Sequence, residues 1–211
     1  MATRREKHKA ELEPEISDGP VVDLLDYGSI SIAYDITRVL EPVPMGKGLV
    51  GISLRERPVE APWRKDYDAI PGNSPSGWAQ QFDVSRWGML VARVRGERVG
   101  GAVIAFQSPG VLMLEGRSDL AVLWDLRVAA TCRRRGLGAT LFRAAEAWAS
   151  TRDCRQLKVE TQNTNVDACR FYARQGCSLG AIDRFAYPGH PNEVQLLWYK
   201  DLSSISSNPS P

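Results

Sequence analysis

Hydrophobic and polar residues alternate along several stretches of the chain, and this alternation predicts β-strands. The first stretch, SISIAYDITRVLE, places four large residues on one face: Ile30, Ile32, Tyr34 and Ile36. Runs rich in Val and Ile predict a hairpin over MLVARVRGERVGGAVIAFQ, with its turn at residues 95–98, and LAVLWDLRVA predicts a further strand. The Pro-rich residues 55–77, which precede the hairpin, predict a loop with short helices that can close over a site.

The second half of the chain changes to a helical period. Residues 138–150 predict an amphipathic helix whose apolar positions are Leu141, Ala144, Ala145 and Trp148. A second helix is predicted over residues 166–175, with Asn165 as its N-cap and Gly176 after its end. RQLKVET predicts a strand between the helices, and CSLGAIDRFAY and EVQLLWYKDL predict two closing strands. This order indicates a parallel strand pair joined by a crossover helix and attached to antiparallel hairpins.

The two ends of the chain differ in composition from the middle. Residues 1–20 carry charges of both signs with few aliphatic side chains, and residues 203–211 read SSISSNPSP. We therefore expect flexible tails at both ends and a single α/β domain over residues 21–202.

The overall composition is that of an ordinary globular protein. Lys plus Arg number 27 and Asp plus Glu number 25, which gives a net charge of +2, and 43% of the residues are hydrophobic. These values exclude a wholly disordered chain and a histone-like nucleic-acid binder. Because no stretch has the pattern of a membrane span or a signal peptide, we expect a cytoplasmic protein without membrane contacts.

The cysteines and histidines do not indicate a metal site. His8 lies in the charged tail and His190 in the loop PGHP, so a histidine-based triad is not expected either. The cysteines match neither a zinc ribbon nor a CxxC redox pair, and we expect reduced thiols at Cys132, Cys154, Cys169 and Cys177.

Residues 133–139, RRRGLGA, are the stretch most informative about chemistry, since they lie between a predicted strand and a predicted helix. Gly136 and Gly138 allow a tight turn and the close approach of a ligand, and the N–H groups at a helix start point outward with the positive end of the helix dipole. Arg127 and residues 133–135 add four cations, and no acid occurs over residues 126–145. These features predict a site for a pyrophosphate.

Other interpretations of this stretch remain open from the residues alone. Glycines at a strand-to-helix junction also occur for steric reasons, and an arginine run can be a solvated surface or an RNA-binding patch, although no aromatic residues interleave with it. The stretch matches neither GxGxxG nor GxxxxGK[ST], which argues against nicotinamide and P-loop sites.

LRVAATCRRRGLGATL resembles the acyl-CoA-binding motif of the GNAT superfamily of N-acetyltransferases, in which a strand ending LxV precedes [RQ]xxGx[GA] at a helix start. NVDACRFYARQG resembles that superfamily's second motif and follows in the expected order. ETQNTNVDACRFY, PWRKDYD and EVQLLWYK are similar to the streptothricin acetyltransferases, a branch that acetylates the β-lysine part of that antibiotic. The resemblance implies a GNAT fold: a mixed central sheet of six to seven strands with flanking helices and a splayed parallel pair at the acyl-CoA site.

The resemblance also implies which residues bind acetyl coenzyme A. The N–H of Val128 would be directed at the thioester oxygen, Asn165 would bind the pantetheine arm, and Tyr172 would donate a proton to the departing sulfur. The full set of implied cofactor-binding residues is Leu126, Arg127, Val128, Arg133, Arg134, Arg135, Gly136, Leu137, Gly138, Ala139, Thr140, Asn165, Ala168 and Phe171.

Candidates for the catalytic base are Asp125 and Glu160, because they lie on the two strands that should flank the acetyl group. An aromatic and acidic rim suits a cationic amine. The candidates for this rim are Trp63, Tyr67, Asp68, Tyr187 and Glu193.

The function expected from the sequence is acetyl transfer from acetyl coenzyme A to a primary amine of a small molecule, with streptothricin favoured and antibiotic resistance as the consequence. Three alternatives stay open: another amine such as an aminoglycoside, a polyamine or a protein N-terminus; a non-catalytic acyl-CoA-binding module; and RNA binding. No metal, nucleic acid or membrane partner is expected, and a homodimer is left open.

Overall fold

Seven strands form one mixed sheet in the computed structural model, which describes residues 14–202. These strands are β1 (Glu15–Asp18), β4 (Gly88–Val94), β5 (Glu97–Ala105), β6 (Leu120–Val128), β7 (Gln156–Gln162), β8 (Ser178–Asp183) and β9 (Gln195–Asp201). Their order across the sheet is β1-β4-β5-β6-β7-β9-β8. A separate antiparallel sheet consists of β2 (Tyr34–Met45) and β3 (Gly51–Lys65).

Short and longer helices connect the strands over residues 14–202. The α-helices in this range are α1 (Leu24–Tyr27), α2 (Trp78–Gln81), α3 (Leu137–Ser150) and α4 (Val166–Arg174). Single 3₁₀ turns occupy Val21–Asp23, Gly46–Gly48, Pro75–Gly77, Leu112–Leu114 and Ala130–Cys132. None of the helices described is long and apolar enough to cross a membrane.

The predicted mixed α/β fold with a parallel strand pair is confirmed. In that pair Leu120 lies opposite Gln156 and Val122 opposite Lys158. The parallel register spans these first residues only, although β6 and β7 both continue beyond it. Pairing that stops early in two continuing strands is what the predicted splayed pair requires.

The described chain forms two compact units. The first contains residues 14–32, 67–158 and 201–202, and the second contains residues 33–66 and 159–200. The sequence predicts a single domain over residues 21–202. The structure divides the described chain into these two units, and β7 begins in the first unit and ends in the second.

Aromatic side chains fill the core of the first unit. The rings of Trp78, Trp87 and Trp124 have centroids 5.2 to 6.5 Å apart, and Phe82 packs against both Trp87 and Trp124. Aromatic pairs at such distances contribute about 0.5–1.5 kcal/mol each beyond the area that they bury. Tyr27, which is completely buried, extends this core with its ring 6.4 Å from that of Trp78.

The amphipathic helix predicted for the first unit is confirmed as α3. Leu141 and Ala145, four residues apart on one face, are completely buried, and Trp148 continues the same face. The indole of Trp148 lies against Gly88, where a Cβ atom would be 2.3 Å from the ring. The absence of a side chain at Gly88 therefore allows α3 to pack closely on β4.

The hairpin predicted in the first unit is also confirmed, as β4 and β5. Its turn consists of Arg95 and Gly96, both with positive φ (52° and 82°), between Val94 and Glu97. Two central residues with positive φ are typical of the primed turns whose twist matches that of the strands.

The prediction of an irregular loop over residues 55–77 is wrong for its first half. Residues up to Lys65 belong to β3, which pairs with β2 from Met45–Gly51 to Tyr34–Lys65. Proline is tolerated at sheet edges and at bulges, and the register shifts between Ile36 and Arg38, where Pro58 is the partner of Arg38. The first predicted strand is accordingly displaced: it begins at Tyr34 rather than at Ser29 and belongs to this small sheet.

The expected N-terminal tail is shorter than residues 1–20. Glu15–Asp18 form β1, and Ile16 pairs with Ala92 at the edge of the large sheet. The backbone N–H and C=O groups of β4 form hydrogen bonds with β1, and amino-acid composition alone does not predict such pairing. The rest of this tail up to residue 13, and the tail expected over residues 203–211, lie outside the described residues.

Candidate functional site

The loop that precedes α3 in the first unit has the backbone geometry of an anion-binding site. Gly136 is the N-cap of this 14-residue helix, with φ of 88°, and Arg134 also has a positive φ of 58°. No side chain caps the helix N-terminus, and its first turn contains no acidic residue. The first N–H groups of α3 are therefore available to an anion at the positive end of the helix dipole.

The arginines of residues 133–135, which with Gly136 form the Arg-Gly loop, have different surroundings. All three arginines are exposed. The guanidinium of Arg133 also donates to the main-chain carbonyls of Val128 (3.0 Å) and Ser31 (2.9 Å). Arg133 thus ties the loop to the end of β6, and its two neighbours supply exposed positive charge.

A largely buried ion-pair cluster surrounds Arg127 of β6. It consists of Asp125 and Arg127 on β6, Tyr27 at the end of α1, and Asp68 in the segment after β3. The side chain of Arg127 is completely buried and binds Asp68 through two hydrogen bonds (2.7 and 2.8 Å). It also binds Asp125 (2.9 to 3.2 Å), whose carboxylate accepts a further hydrogen bond from the hydroxyl of Tyr27 (2.9 Å). We call these four residues the Arg127 cluster.

Burial and charge oppose one another in the Arg127 cluster. Burial raises the pKa of Asp125, although Arg127 and the Tyr27 hydroxyl act in the other direction. Burial would lower the pKa of Arg127, but hydrogen bonds to Asp68 and Asp125 outweigh this and raise the pKa. Burial, followed by the charge of Asp125, raises the pKa of Tyr27. The Asp125 carboxylate is consequently bound by both a cation and a phenol. It is therefore less able to accept a proton from a substrate than an unpaired carboxylate would be.

The second unit holds the helix that corresponds to the second predicted motif. Asn165 caps α4 as predicted, since its side-chain oxygen accepts from the N–H of Ala168 (3.1 Å), and Gly176 follows the helix with φ of 80°. Tyr172 is buried on the apolar face of α4, and its ring centroid is 5.0 Å from that of Phe171.

Glu160, the other candidate base, lies in the second unit within a network of neutral hydrogen-bond donors. The hydroxyl of Tyr187 donates to one carboxylate oxygen, and Gln162 donates to the same oxygen (3.1 Å). Gln195 donates to the other oxygen (2.8 Å), and Gln162 also donates to the Tyr187 hydroxyl (2.8 Å). The donors in these hydrogen bonds are all neutral, whereas Asp125 is bound by a cation.

A cavity of about 970 Å³ opens within the second unit. Three of the residues predicted to surround an acceptor line it, namely Trp63, Tyr187 and Glu193. Trp63 on β3 is 43% exposed, so its ring is accessible to a ligand. We call this cavity the second-unit pocket.

The charge of Glu193 at the second-unit pocket is neutralised by Lys65. The two side chains are 13% and 12% exposed and form a close ion pair. This pair joins the end of β3 to the loop before β9, so it holds two walls of the pocket together. A carboxylate that is paired in this way is less attractive to a cationic ligand than an unpaired one.

The two remaining acceptor candidates, Tyr67 and Asp68, belong to the first unit. Asp68 is bound to Arg127 by both carboxylate oxygens. The structure therefore groups Trp63, Tyr187 and Glu193 at one pocket and places Asp68 in the Arg127 cluster.

Several residues of these clusters are outside the sequence prediction. Gln162 follows Glu160 by two positions on β7, and this spacing puts both on one face of the strand. Gln195 lies in the segment EVQLLWYK that carries the family resemblance. Lys65 likewise lies in the segment PWRKDYD, which also carries that resemblance. For Tyr27 the sequence has no comparable signal, because its partner Asp125 is 98 residues away.

Curated proteins similar to this chain are streptothricin acetyltransferases. One from Escherichia coli is 37% identical over 103 residues, which cover 47% of this chain and 59% of that protein. Streptothricin acetyltransferase A of Bacillus subtilis (strain 168) is 37% identical over 81 residues, which cover 37% of this chain and 47% of that protein. The chain thus matches about half the length of these two relatives.

Solved structures show the same fold at lower identity. A nourseothricin acetyltransferase has a TM-score of 0.69 at 22% identity, with 90% of this chain and 99% of that chain covered. A Bacillus anthracis str. Ames protein in complex with acetyl coenzyme A has a TM-score of 0.69 at 21% identity, with 90% and 98% covered.

The model of the acetyltransferase (GNAT) family matches residues 54–177, more than half of the chain. The matched region includes both the Arg-Gly loop with α3 and the capped helix α4. The chain therefore belongs to the acetyltransferase (GNAT) family.

Proposed function

We propose that this protein transfers the acetyl group of acetyl coenzyme A to a primary amine on a small cationic molecule. Streptothricin is the acceptor that we favour, because the similar curated proteins carry that substrate in their names. Acetylation removes the positive charge of an amine, so the proposed consequence is resistance to the antibiotic.

The observation that carries the proposal is the uncapped start of α3 behind the Arg-Gly loop. A helix of 14 residues whose first N–H groups have no side-chain partner fits a pyrophosphate, and exposed Arg134 and Arg135 add charge at the same place. A Cβ atom added at Gly136 would meet no other atom within 4 Å, so the loop is open where a ligand would approach. We assign the pyrophosphate to the N–H groups of residues 134–139, with Thr140 beside them.

When bound, acetyl coenzyme A supplies an activated acetyl group as a thioester. In the first unit we propose that the main chain of Leu126, Arg127 and Val128 binds the pantetheine arm and the thioester oxygen. The side chain of Arg127 is excluded from this role by its complete burial in the Arg127 cluster. In the second unit we propose Asn165, Ala168 and Phe171 for the same arm.

Tyr172 is our proposed general acid, which returns a proton to the sulfur. General acids of this kind typically contribute a factor of about 10² to 10⁴ in rate. Between the two candidate bases we favour Glu160 over Asp125, because neutral donors from Gln162, Tyr187 and Gln195 bind Glu160 whereas Asp125 is paired with a buried guanidinium.

For the acceptor we propose the second-unit pocket. The exposed face of Trp63 and the ring of Tyr187 suit an alkylammonium group, since cations are attracted to aromatic faces. The neutralised Glu193 is then a wall of the pocket. Tyr67 and Asp68 belong to the first unit and are not among the described residues that line this pocket.

The decisive experiment is steady-state release of coenzyme A with a panel of acceptors: streptothricin, an aminoglycoside, a polyamine and an N-terminal peptide. We expect acetylation of streptothricin with the highest kcat/KM. Preferential turnover of another amine would refute streptothricin as the acceptor but would support the proposed acetyltransferase activity. Binding of acetyl coenzyme A without turnover of any amine would refute the proposed reaction.

A further inference from the structure

Glu160 and the second-unit pocket are connected through Tyr187. Tyr187 lines the pocket, as do Trp63 and Glu193 from its other walls, but Glu160 is not among the described residues that line it. The carboxylate nevertheless accepts the hydrogen bond of the Tyr187 hydroxyl. A ligand in the pocket therefore meets the phenol first and the carboxylate behind it.

The hydrogen bonds fix the direction in which the Tyr187 hydroxyl points. The amide nitrogen of Gln162 donates to the phenol oxygen (2.8 Å), so the phenol proton is left to donate to Glu160. A phenol oxygen has two lone pairs, of which Gln162 uses one. The second lone pair can accept a hydrogen bond from an N–H group in the pocket.

We infer that Tyr187 is a catalytic residue that relays a proton from the acceptor ammonium to Glu160. This inference deepens the proposed acetyl transfer to an amine and rests on it. An alkylammonium must lose a proton before its nitrogen can attack a thioester, and Tyr187 is positioned to accept that proton.

The relay balances in a single concerted step. One N–H bond of the ammonium breaks, and its proton forms a new O–H bond on the phenol of Tyr187. The original O–H bond of Tyr187 breaks at the same time, and that proton forms an O–H bond on Glu160. The products are a neutral amine with a free electron pair, a neutral tyrosine and a protonated carboxyl, which later returns its proton to solvent.

Electrostatics favour a concerted transfer over a phenolate intermediate. Burial and the neighbouring charge of Glu160 raise the pKa of Tyr187, so the phenolate is unfavourable in this place. Glu193 also faces Tyr187, and its charge acts in the same direction, but Lys65 neutralises it. Gln195 and Gln162 hold the Glu160 carboxylate in the orientation that receives the proton.

The test compares two acceptors in the Tyr187→Phe variant. One is an alkylamine that is almost fully protonated at the assay pH, and the other is a fluorinated alkylamine that is largely neutral there. The relay predicts that kcat/KM for the protonated amine falls about 100-fold or more, while kcat/KM for the neutral amine changes little. The KM for acetyl coenzyme A should stay unchanged.

A matched control and a second variant separate the relay from packing. Tyr199→Phe removes one hydroxyl from β9 of the same unit, at a residue that is not among those described as lining the pocket, and should leave both acceptors unaffected. Glu160→Gln should reproduce the selective loss, and the double variant with Tyr187→Phe should be no slower than either single variant, because the two groups act as one.

Equal losses for the two amines in Tyr187→Phe would overturn the relay and make Tyr187 a binding residue only. Unchanged rates for both would overturn it as well. Each of these results leaves the proposed acetyl transfer intact, since the wild-type protein still acetylates an amine. If the wild-type protein acetylates no amine at all, the proposed function fails and the relay fails with it.

Discussion

Replacing Arg127 by Met removes the only cation of the Arg127 cluster and keeps an unbranched apolar chain in place of the methylene groups of arginine. The guanidinium is completely buried and holds two carboxylates, Asp125 and Asp68, whose side chains are 9% and 21% exposed. The variant leaves both carboxylates without that partner. Removal of one member of a buried ion pair typically costs about 3–5 kcal/mol, because an uncompensated charge remains inside the protein.

The chain offers a matched control in Arg98, which is also in the first unit and whose side chain is only 7% exposed. Its partners Asp23 and Asp26 are 43% and 68% exposed, so water can solvate them when the cation is removed. Arg98→Met should therefore cost only about 0–1 kcal/mol of ion-pair energy. The difference between the free energies of unfolding of the two variants therefore measures the effect of burying the carboxylates.

The loss of stability in Arg127→Met should depend on pH, because the pKa of Asp125 is raised in the folded protein. Without Arg127 that pKa rises further, because the cation that opposed the effect of burial is gone. A group whose pKa is raised on folding stabilises the folded state as the pH falls toward its unfolded-state value. The destabilisation of Arg127→Met should thus shrink between about pH 7 and about pH 5, whereas that of Arg98→Met should not.

Urea unfolding of the three proteins at both pH values measures these differences. The expected result is a large loss for Arg127→Met at neutral pH that is partly recovered in acid. Equal losses for the two variants, or a loss for Arg127→Met that does not change with pH, would refute the account of the cluster.

Three further predictions concern single positions. Gly88→Ala should lower the free energy of unfolding by about 1–3 kcal/mol, since its Cβ would lie 2.3 Å from Trp148, and Gly189→Ala, which meets nothing within 4 Å, is the control in the same urea assay. Gly136→Asp should abolish the calorimetric binding of acetyl coenzyme A by adding negative charge at the loop; binding as weak in Gly136→Ala would point to backbone strain instead. Tyr172→Phe should keep that binding and lower kcat by a factor of about 10² to 10⁴, and an unchanged kcat would leave Tyr172 with a packing role.

Local sequence signals were sufficient for much of this fold. The turn at Arg95 and Gly96, the cap at Asn165 and the apolar face of α3 are each specified by neighbouring residues, and each occurs where predicted. The same holds for the Arg-Gly loop, whose glycine and arginines are contiguous. Periodicity and capping depend on contacts within a few residues, which a single sequence displays directly.

Contacts over long sequence separations account for what was missed. The sequence does not distinguish Asp68 and Asp125 from unpaired acids, although both bind Arg127. Asp68 is 59 residues away from Arg127 in the chain. Glu160 and Tyr187, which are 27 residues apart, become partners only when β7 and the loop after β8 come together. Prediction of the site could therefore name the residues of chemical interest, but not which carboxylate was already paired.

The prolines of β2 and β3 affect the tendency of the protein to aggregate in solution. A sheet of two strands has two outer edges, and open edges invite strand addition by a second molecule and thus aggregation. Pro42 and Pro44 on β2, and Pro58 and Pro62 on β3, each lack the N–H group that such an added strand would need. This hairpin is long enough to wall a binding pocket, and its prolines make it a poor template for intermolecular pairing.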